Sequence, residues 1–145
     1  MDYATKEQLF SESDFVSIHY VLSDRSRNLI TADDLARMKP TAYLINTSRG
    51  PIVNELALIE ALTQRKIAGA GLDVFDVEPL PQTHPFRRLQ NTVVTPHLGY
   101  VTDAAIKTIY GQSIENIQTW LQGDPTRVIN PPVLDAPKLR KPARE

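Results

Sequence analysis

Ala42-Tyr43-Leu44-Ile45-Asn46-Thr47-Ser48-Arg49-Gly50 is a short apolar run that breaks into a polar turn, and the same design recurs twice further along the chain. Ala68-Gly69-Ala70-Gly71-Leu72-Asp73 runs into Val74-Phe75-Asp76-Val77-Glu78-Pro79, and Thr92-Val93-Val94-Thr95 runs into Pro96-His97-Leu98-Gly99. Phe15–Tyr20 is an earlier run of the same kind. Apolar runs this short, bounded by turn residues, read as buried strands, and separations of roughly twenty residues leave room for crossover helices between parallel neighbours. The expectation is an α/β protein with four parallel strands at Phe15–Tyr20, Ala42–Asn46, Ala68–Asp73 and Thr92–Thr95.

The intervening segments carry helix signals. Thr5-Lys6-Glu7-Gln8 has the form of a capping box, and Thr31-Ala32-Asp33-Asp34 places a cap before two acids in a helix that ends at Lys39-Pro40. Asn54 caps a helix running to about Lys66, with Leu56, Ile59 and Leu62 expected on its buried face. The connection from Glu78 to Asn91 differs, because Pro79, Pro81 and Pro85 rule out a long helix and leave an extended loop with a short turn near Phe86 to Leu89. A last helix is expected from about Thr102 to Gln122, with Ile106, Ile109, Ser113, Ile117 and Trp120 as its core stripe and Gly123 at its end. Residues 1–123 form the expected folded part, and the proline-rich residues 124–145 an extended tail.

In an open parallel sheet the carboxyl ends of all strands share one edge, so Arg49, Glu78 and His97 are expected to meet there. These three groups suit the oxidation of an alcohol beside a carboxylate. A guanidinium can fork onto the carboxylate, and an imidazole can take the hydroxyl proton as hydride leaves the same carbon. A carboxylate on that ring favours the imidazolium, so one histidine serves as base in oxidation and acid in reduction. The hydride needs a nicotinamide, since no side chain accepts one. Chemistry alone leaves Asp76 as a rival to Glu78, and Arg49 could instead bond sheet-end carbonyls. His84, inside the proline-rich loop, reads as exposed, and His19 as a packed or hydrogen-bonded core residue.

The motifs Ser13-Asp14-Phe15-Val16-Ser17-Ile18-His19, Ile45-Asn46-Thr47-Ser48-Arg49-Gly50, Gly71-Leu72-Asp73-Val74-Phe75 with Glu78-Pro79, and Pro96-His97-Leu98-Gly99 stand in one order and spacing. Through them the chain resembles the nucleotide-binding part of the D-isomer-specific 2-hydroxyacid dehydrogenases, from about Asp14 to Gly123. The resemblance implies a partial Rossmann-like sheet, NAD as cofactor with NADP open, and a small 2-hydroxy or 2-keto acid as substrate. It implies Arg49 as the substrate-orienting arginine, His97 as acid–base and Glu78, rather than Asp76, as its partner. Asp73 resembles the residue that holds the nicotinamide carboxamide; Tyr20, Thr47, Ser48, Arg49, His97, Gly99 and Tyr100 fall in cofactor-lining segments. Val21 and Asn54 depart from the family's usual proline and aspartate, and Tyr100 replaces a small residue, which bears on substrate preference.

A dinucleotide-binding domain ordinarily also has a Gly-x-Gly-x-x-Gly turn and a strand ending in a ribose-binding acid. Neither stands in these 145 residues: Gly69-Ala70-Gly71 imitates half the fingerprint, but Val74 occupies the third glycine's place. The chain therefore reads as the later part of such a domain, expected to be inactive by itself. The alternative is a cofactor-sensing or scaffold relative without catalysis.

Composition narrows the classes. A net charge of −1 with interspersed acids and bases gives no nucleic-acid footprint, and no run approaches a membrane span. Cysteine is absent, and three histidines with no ligand spacing offer no metal site. A cytoplasmic homo-oligomer is the default expectation.

Overall fold

The computed structural model describes residues 3–135, in two compact units that divide after Gly99. The first contains α1 (Lys6–Glu12), β1 (Phe15–Ile18), α2 (Ala32–Arg37), β2 (Tyr43–Asn46), α3 (Glu55–Thr63), β3 (Gly69–Leu72) and β4 (Thr92–Val94). The strands lie in the order β1-β2-β3-β4, all parallel, so the sheet is of the expected α/β type. Ile18, Asn46, Leu72 and Val94 form one row across it. Whatever follows those four residues therefore emerges along one edge.

The helices begin where the sequence supplies caps. Thr5 and Gln8 exchange bonds at the start of α1, and Thr31 and Asp34 do so at the start of α2. The Asp34 carboxylate is buried and takes Lys6 Nζ at 2.7 Å, which ties α1 to α2. Burial opposes its ionisation, but the bonds from Lys6 and Thr31 outweigh that and hold its pKa below the ordinary value.

One face of the sheet, carrying Val16, Ile18, Leu44 and Leu72, packs with Leu35, Leu58 and Leu62 in the core. The opposite face carries Phe15, Tyr43 and Val93, which are exposed; Phe15 and Tyr43 stack at 5.5 Å. Leu56, expected in the core, is 78% exposed. It sits about 120° round the helix from Leu62, whereas Leu58, Ala61 and Leu62 share the arc that meets the sheet. His19 is also outside the core: β1 stops at Ile18, where its partner β2 turns away, and His19 Nε2 lies exposed, 2.8 Å from Ser17 Oγ.

The long third connection has the expected extended path, with a 3-10 turn at Pro85–Arg87. In the second unit, Thr102 caps α4 (Asp103–Leu121), and Gly123 adopts φ 79° beyond its end. The core stripe expected on α4 is not there. None of its residues is buried, and Ile109 and Ile117 are exposed, because no second layer covers them among the described residues of this unit. Arg127 pairs with Glu115 at 2.6 Å, and Pro131–Asp135 makes a 3-10 turn. Pro137, Lys138, Arg140, Lys141 and Pro142 of the expected tail lie outside the described residues.

Candidate active site

The turn after β2 is built by Asn46. Its buried amide donates to the Arg49 carbonyl at 3.0 Å, and its Oδ1 accepts the Ser48 N–H at 3.0 Å. Ser48 Oγ donates to the Tyr20 carbonyl at 2.6 Å, joining the turn to the segment that leaves β1. Thr47, Ser48 and Arg49 thus ride on a turn fixed at both ends. The Arg49 side chain is exposed and donates from Nη1 to the Ser48 carbonyl. A Cβ on Gly50 would stand 2.1 Å from the Phe75 carbonyl carbon, so only glycine lets this turn press against the loop after β3.

Asp73 organises the third turn. Buried, it accepts Thr95 Oγ1 at 2.5 Å and the Leu98 N–H at 2.7 Å on Oδ1, and the Gly99 N–H at 2.8 Å on Oδ2. Its carbonyl accepts the His97 N–H at 2.9 Å. Burial works against its charge, but these bonds and the nearby His97 more than offset that, and its pKa lies below the ordinary carboxylate value. His97 itself has φ 58°, a left-handed conformation costing of order 1 kcal/mol or more for a residue with a side chain. The Asp73 bonds on either side of His97 hold that conformation.

Glu78 meets the ring. Its Oε2 lies 2.6 Å from His97 Nδ1, while Oε1 accepts the Phe75 N–H at 2.9 Å. Burial again opposes ionisation, and the bonds from His97 and Phe75, with the charges of His97 and Arg49, overcome it, so the Glu78 pKa is lowered. An ionised carboxylate at Nδ1 makes that nitrogen the proton donor and turns Nε2 away from Glu78. Asp76 has a different setting: burial and the neighbouring Glu55 raise its pKa, and it is Glu78 that bonds the histidine.

A cavity of about 450 Å³ adjoins the pair, walled by Glu78, His97, Phe75, Leu80, Val94 and Arg87. Arg49 is not among its lining residues, so this cavity alone is not a site with all three groups. A Cβ on Gly99 would lie 3.1 Å from Asp73 Oδ2 and 4.0 Å from Thr47 Cβ, so glycine lets its backbone close onto this carboxylate. A carboxylate is an acceptor that the N–H donors of a primary amide, such as a nicotinamide carboxamide, match chemically. Tyr100 is exposed and belongs to the second unit. Among the described residues no cluster of three His, Cys, Asp or Glu side chains could hold a metal ion.

Two contributors were not legible beforehand as site builders: Asn46, which ties its turn, and Thr95, which bonds Asp73. The available signal was a polar residue closing an apolar strand, since a buried amide or hydroxyl requires partners. His84 was misread as exposed. Its side chain is 14% exposed, and its Nε2 lies 3.2 Å from Glu55 Oε1.

Comparison with known proteins agrees with this architecture. Residues 1–99 match the family model described as D-isomer specific 2-hydroxyacid dehydrogenase, NAD binding domain. The chain is 41% identical over 142 residues to a glyoxylate reductase of Thermofilum pendens, covering 97% of this chain and 42% of the relative. A D-isomer specific 2-hydroxyacid dehydrogenase from Lactobacillus delbrueckii ssp. bulgaricus, in NAD complexed form, superposes with TM-score 0.76 at 31% identity, over 89% of this chain and 43% of that one. A D-isomer specific 2-hydroxyacid dehydrogenase from Xanthobacter autotrophicus Py2, in complex with NADPH and MES, gives TM-score 0.65 at 38% identity, over 88% and 54% respectively. The chain thus spans less than half the length of the glyoxylate reductase it matches. With the family model covering most of its length and the parallel sheet in place, the chain belongs to the D-isomer specific 2-hydroxyacid dehydrogenase family, within its NAD binding domain.

Proposed function

We propose that these residues carry the acid–base and substrate-orienting part of hydride transfer between NAD(P) and a small D-2-hydroxy acid or its 2-keto acid. The observation that carries the reading is the 2.6 Å contact of His97 Nδ1 with Glu78, at the carboxyl edge of the sheet and within the electrostatic reach of Arg49. His97 Nε2 takes the hydroxyl proton in oxidation and returns it to the carbonyl oxygen in reduction. Glu78 holds the ring in the required tautomer and stabilises the imidazolium. Arg49 clamps the substrate carboxylate with a planar fork, fixing the reacting carbon. The dinucleotide, when bound, accepts or supplies the hydride. Asp73, with Gly99 and Thr47 beside it, would hold its carboxamide end, and Tyr20 and Ser48 would line it further.

The 145 residues by themselves are proposed to be inactive. Supporting this, no glycine-rich turn for pyrophosphate stands in the sequence, and the glyoxylate reductase it resembles is more than twice as long. A homo-oligomer in the cytoplasm completes the reading, supported by the exposed apolar face at Phe15, Tyr43 and Val93; no described helix is long and apolar enough to cross a membrane.

The test is to graft this chain into the Thermofilum pendens glyoxylate reductase in place of the segment it matches, then follow glyoxylate reduction with NADH and NADPH. Turnover by the graft and none by the isolated chain is expected. A folded graft that binds dinucleotide without turnover would instead identify a non-catalytic relative.

A further inference from the structure

A single carboxylate grips both ends of the loop that carries Glu78. Glu55, in the first turn of α3, accepts the Asp76 N–H on Oε2 at 3.4 Å and faces His84 Nε2 with Oε1 at 3.2 Å. Glu78 lies between those two anchor points in the chain. The His84 ring is engaged on its other side as well, because Nδ1 accepts the Phe86 N–H at 3.3 Å. That acceptor role leaves the proton on Nε2 and makes Nε2 the donor to Glu55. The ring also packs 4.9 Å from Phe86, whose own ring lies 6.3 Å from Phe75. Phe75 N–H in turn holds Glu78 Oε1.

We infer that the Glu55–His84 pair is a positioning device, a staple across residues 76–84 that keeps the Glu78 carboxylate on His97. Within the loop Val77 and Pro79 are exposed, and its middle is fixed by Leu80, buried in the core, and by Arg87, which donates to the Leu80 and Pro81 carbonyls. The stretch from Asp76 to Pro79 that carries Glu78 is bounded instead by Gly50 pressing against Phe75 and Asp76 and by Glu55 holding the Asp76 amide. The pair is placed to act through Glu78, whose carboxylate bonds the His97 ring. This inference rests on the proposed acid–base role of His97 and Glu78 for its functional meaning, but its test reads their hydrogen bond directly.

The experiment is proton NMR of the full 145-residue chain, ¹⁵N-labelled, reading the His97 Nδ1–H resonance and its exchange with water. The unsubstituted chain should show a low-field, slowly exchanging signal that Glu78→Gln removes. His84→Ala and Glu55→Ala should each speed its exchange about fivefold or more, the scale of one lost hydrogen bond. His84→Gln, which keeps a donor near the position of Nε2, should stay within about twofold of the unsubstituted chain. Amide signals of β2 and β3 report whether the sheet is intact. Unchanged exchange in both alanine variants would overturn the staple while leaving the His97–Glu78 pair standing. So would His84→Gln behaving like His84→Ala with the sheet intact, or loss of the sheet amides in either alanine variant, which would make the pair a support of the core. Absence of the signal in the unsubstituted chain would instead remove the His97–Glu78 pairing on which the proposed function depends.

Discussion

Among the described residues stand two histidine–carboxylate pairs of opposite character. His84 and Glu55 are largely buried, and both nitrogens of His84 are engaged by the chain itself, one by Glu55 and one by the Phe86 amide. His97 and Glu78 are about one-third exposed, stand just beyond β4 and β3, and meet at Nδ1, with the His97 backbone held at φ 58°. An imidazole beside a carboxylate is therefore not a catalytic signal in itself. Its place at the carboxyl edge of a parallel sheet is what marks the His97 pair.

Removing each imidazole in turn from the grafted reductase should separate the two pairs. His97→Asn should lower the turnover of glyoxylate reduction by about a thousandfold, within the range for a lost acid–base group, while dinucleotide affinity changes little. His84→Gln should leave turnover within about threefold, as expected where one hydrogen bond is kept through a similarly placed donor. Steady-state kinetics with fluorescence titration of NADH would decide, and similar losses in both variants would erase the distinction.

Arg49 carries the next largest effect. Its side chain is exposed and donates to the adjacent Ser48 carbonyl. Arg49→Lys should raise the Michaelis constant for glyoxylate by about tenfold or more, since an ammonium cannot reproduce a two-point clamp. A change confined to melting temperature would make Arg49 a structural residue instead.

How much of this was visible in advance depended on the kind of residue. The parallel sheet was legible because four apolar runs ended in turns, and each motif does lie beyond the end of its strand. The burial of side chains was less legible. Leu56 and the isoleucines of α4 have helical spacing, but spacing does not say which arc meets another layer, or whether there is one. His84 was misread because proline-rich loops are usually exposed, while its actual partner, Glu55, is 29 residues away in sequence.

A smaller effect separates the carboxylates. Asp73 and Glu78 have lowered pKa values in the fold, so their ionised forms stabilise it. That contribution is complete above their unfolded values, near 3.8 and 4.5, and is lost as pH falls through the lower folded ones. Asp76 is raised and works in the opposite sense: its ionisation costs stability as pH rises through its folded value. Melting temperature should therefore decline below about pH 4, and Asp73→Asn should lower it at pH 7 while flattening the decline. Thermal melts by circular dichroism across pH 2.5 to about 7 would check this; an equally steep decline in the variant would show that Asp73 is not a source of the acid sensitivity.

Whether Glu78 acts on the proposed reaction through the His97 proton can be read from the pH–rate profile of glyoxylate reduction by the grafted enzyme with and without Glu78→Gln. In the proposed reaction, reduction draws its proton from the His97 imidazole, and Glu78 is the carboxylate bonded to that ring. The variant's reduction rate should begin to fall at a lower pH than that of the unsubstituted graft. An unchanged profile, whatever the rate, would contradict that role for Glu78.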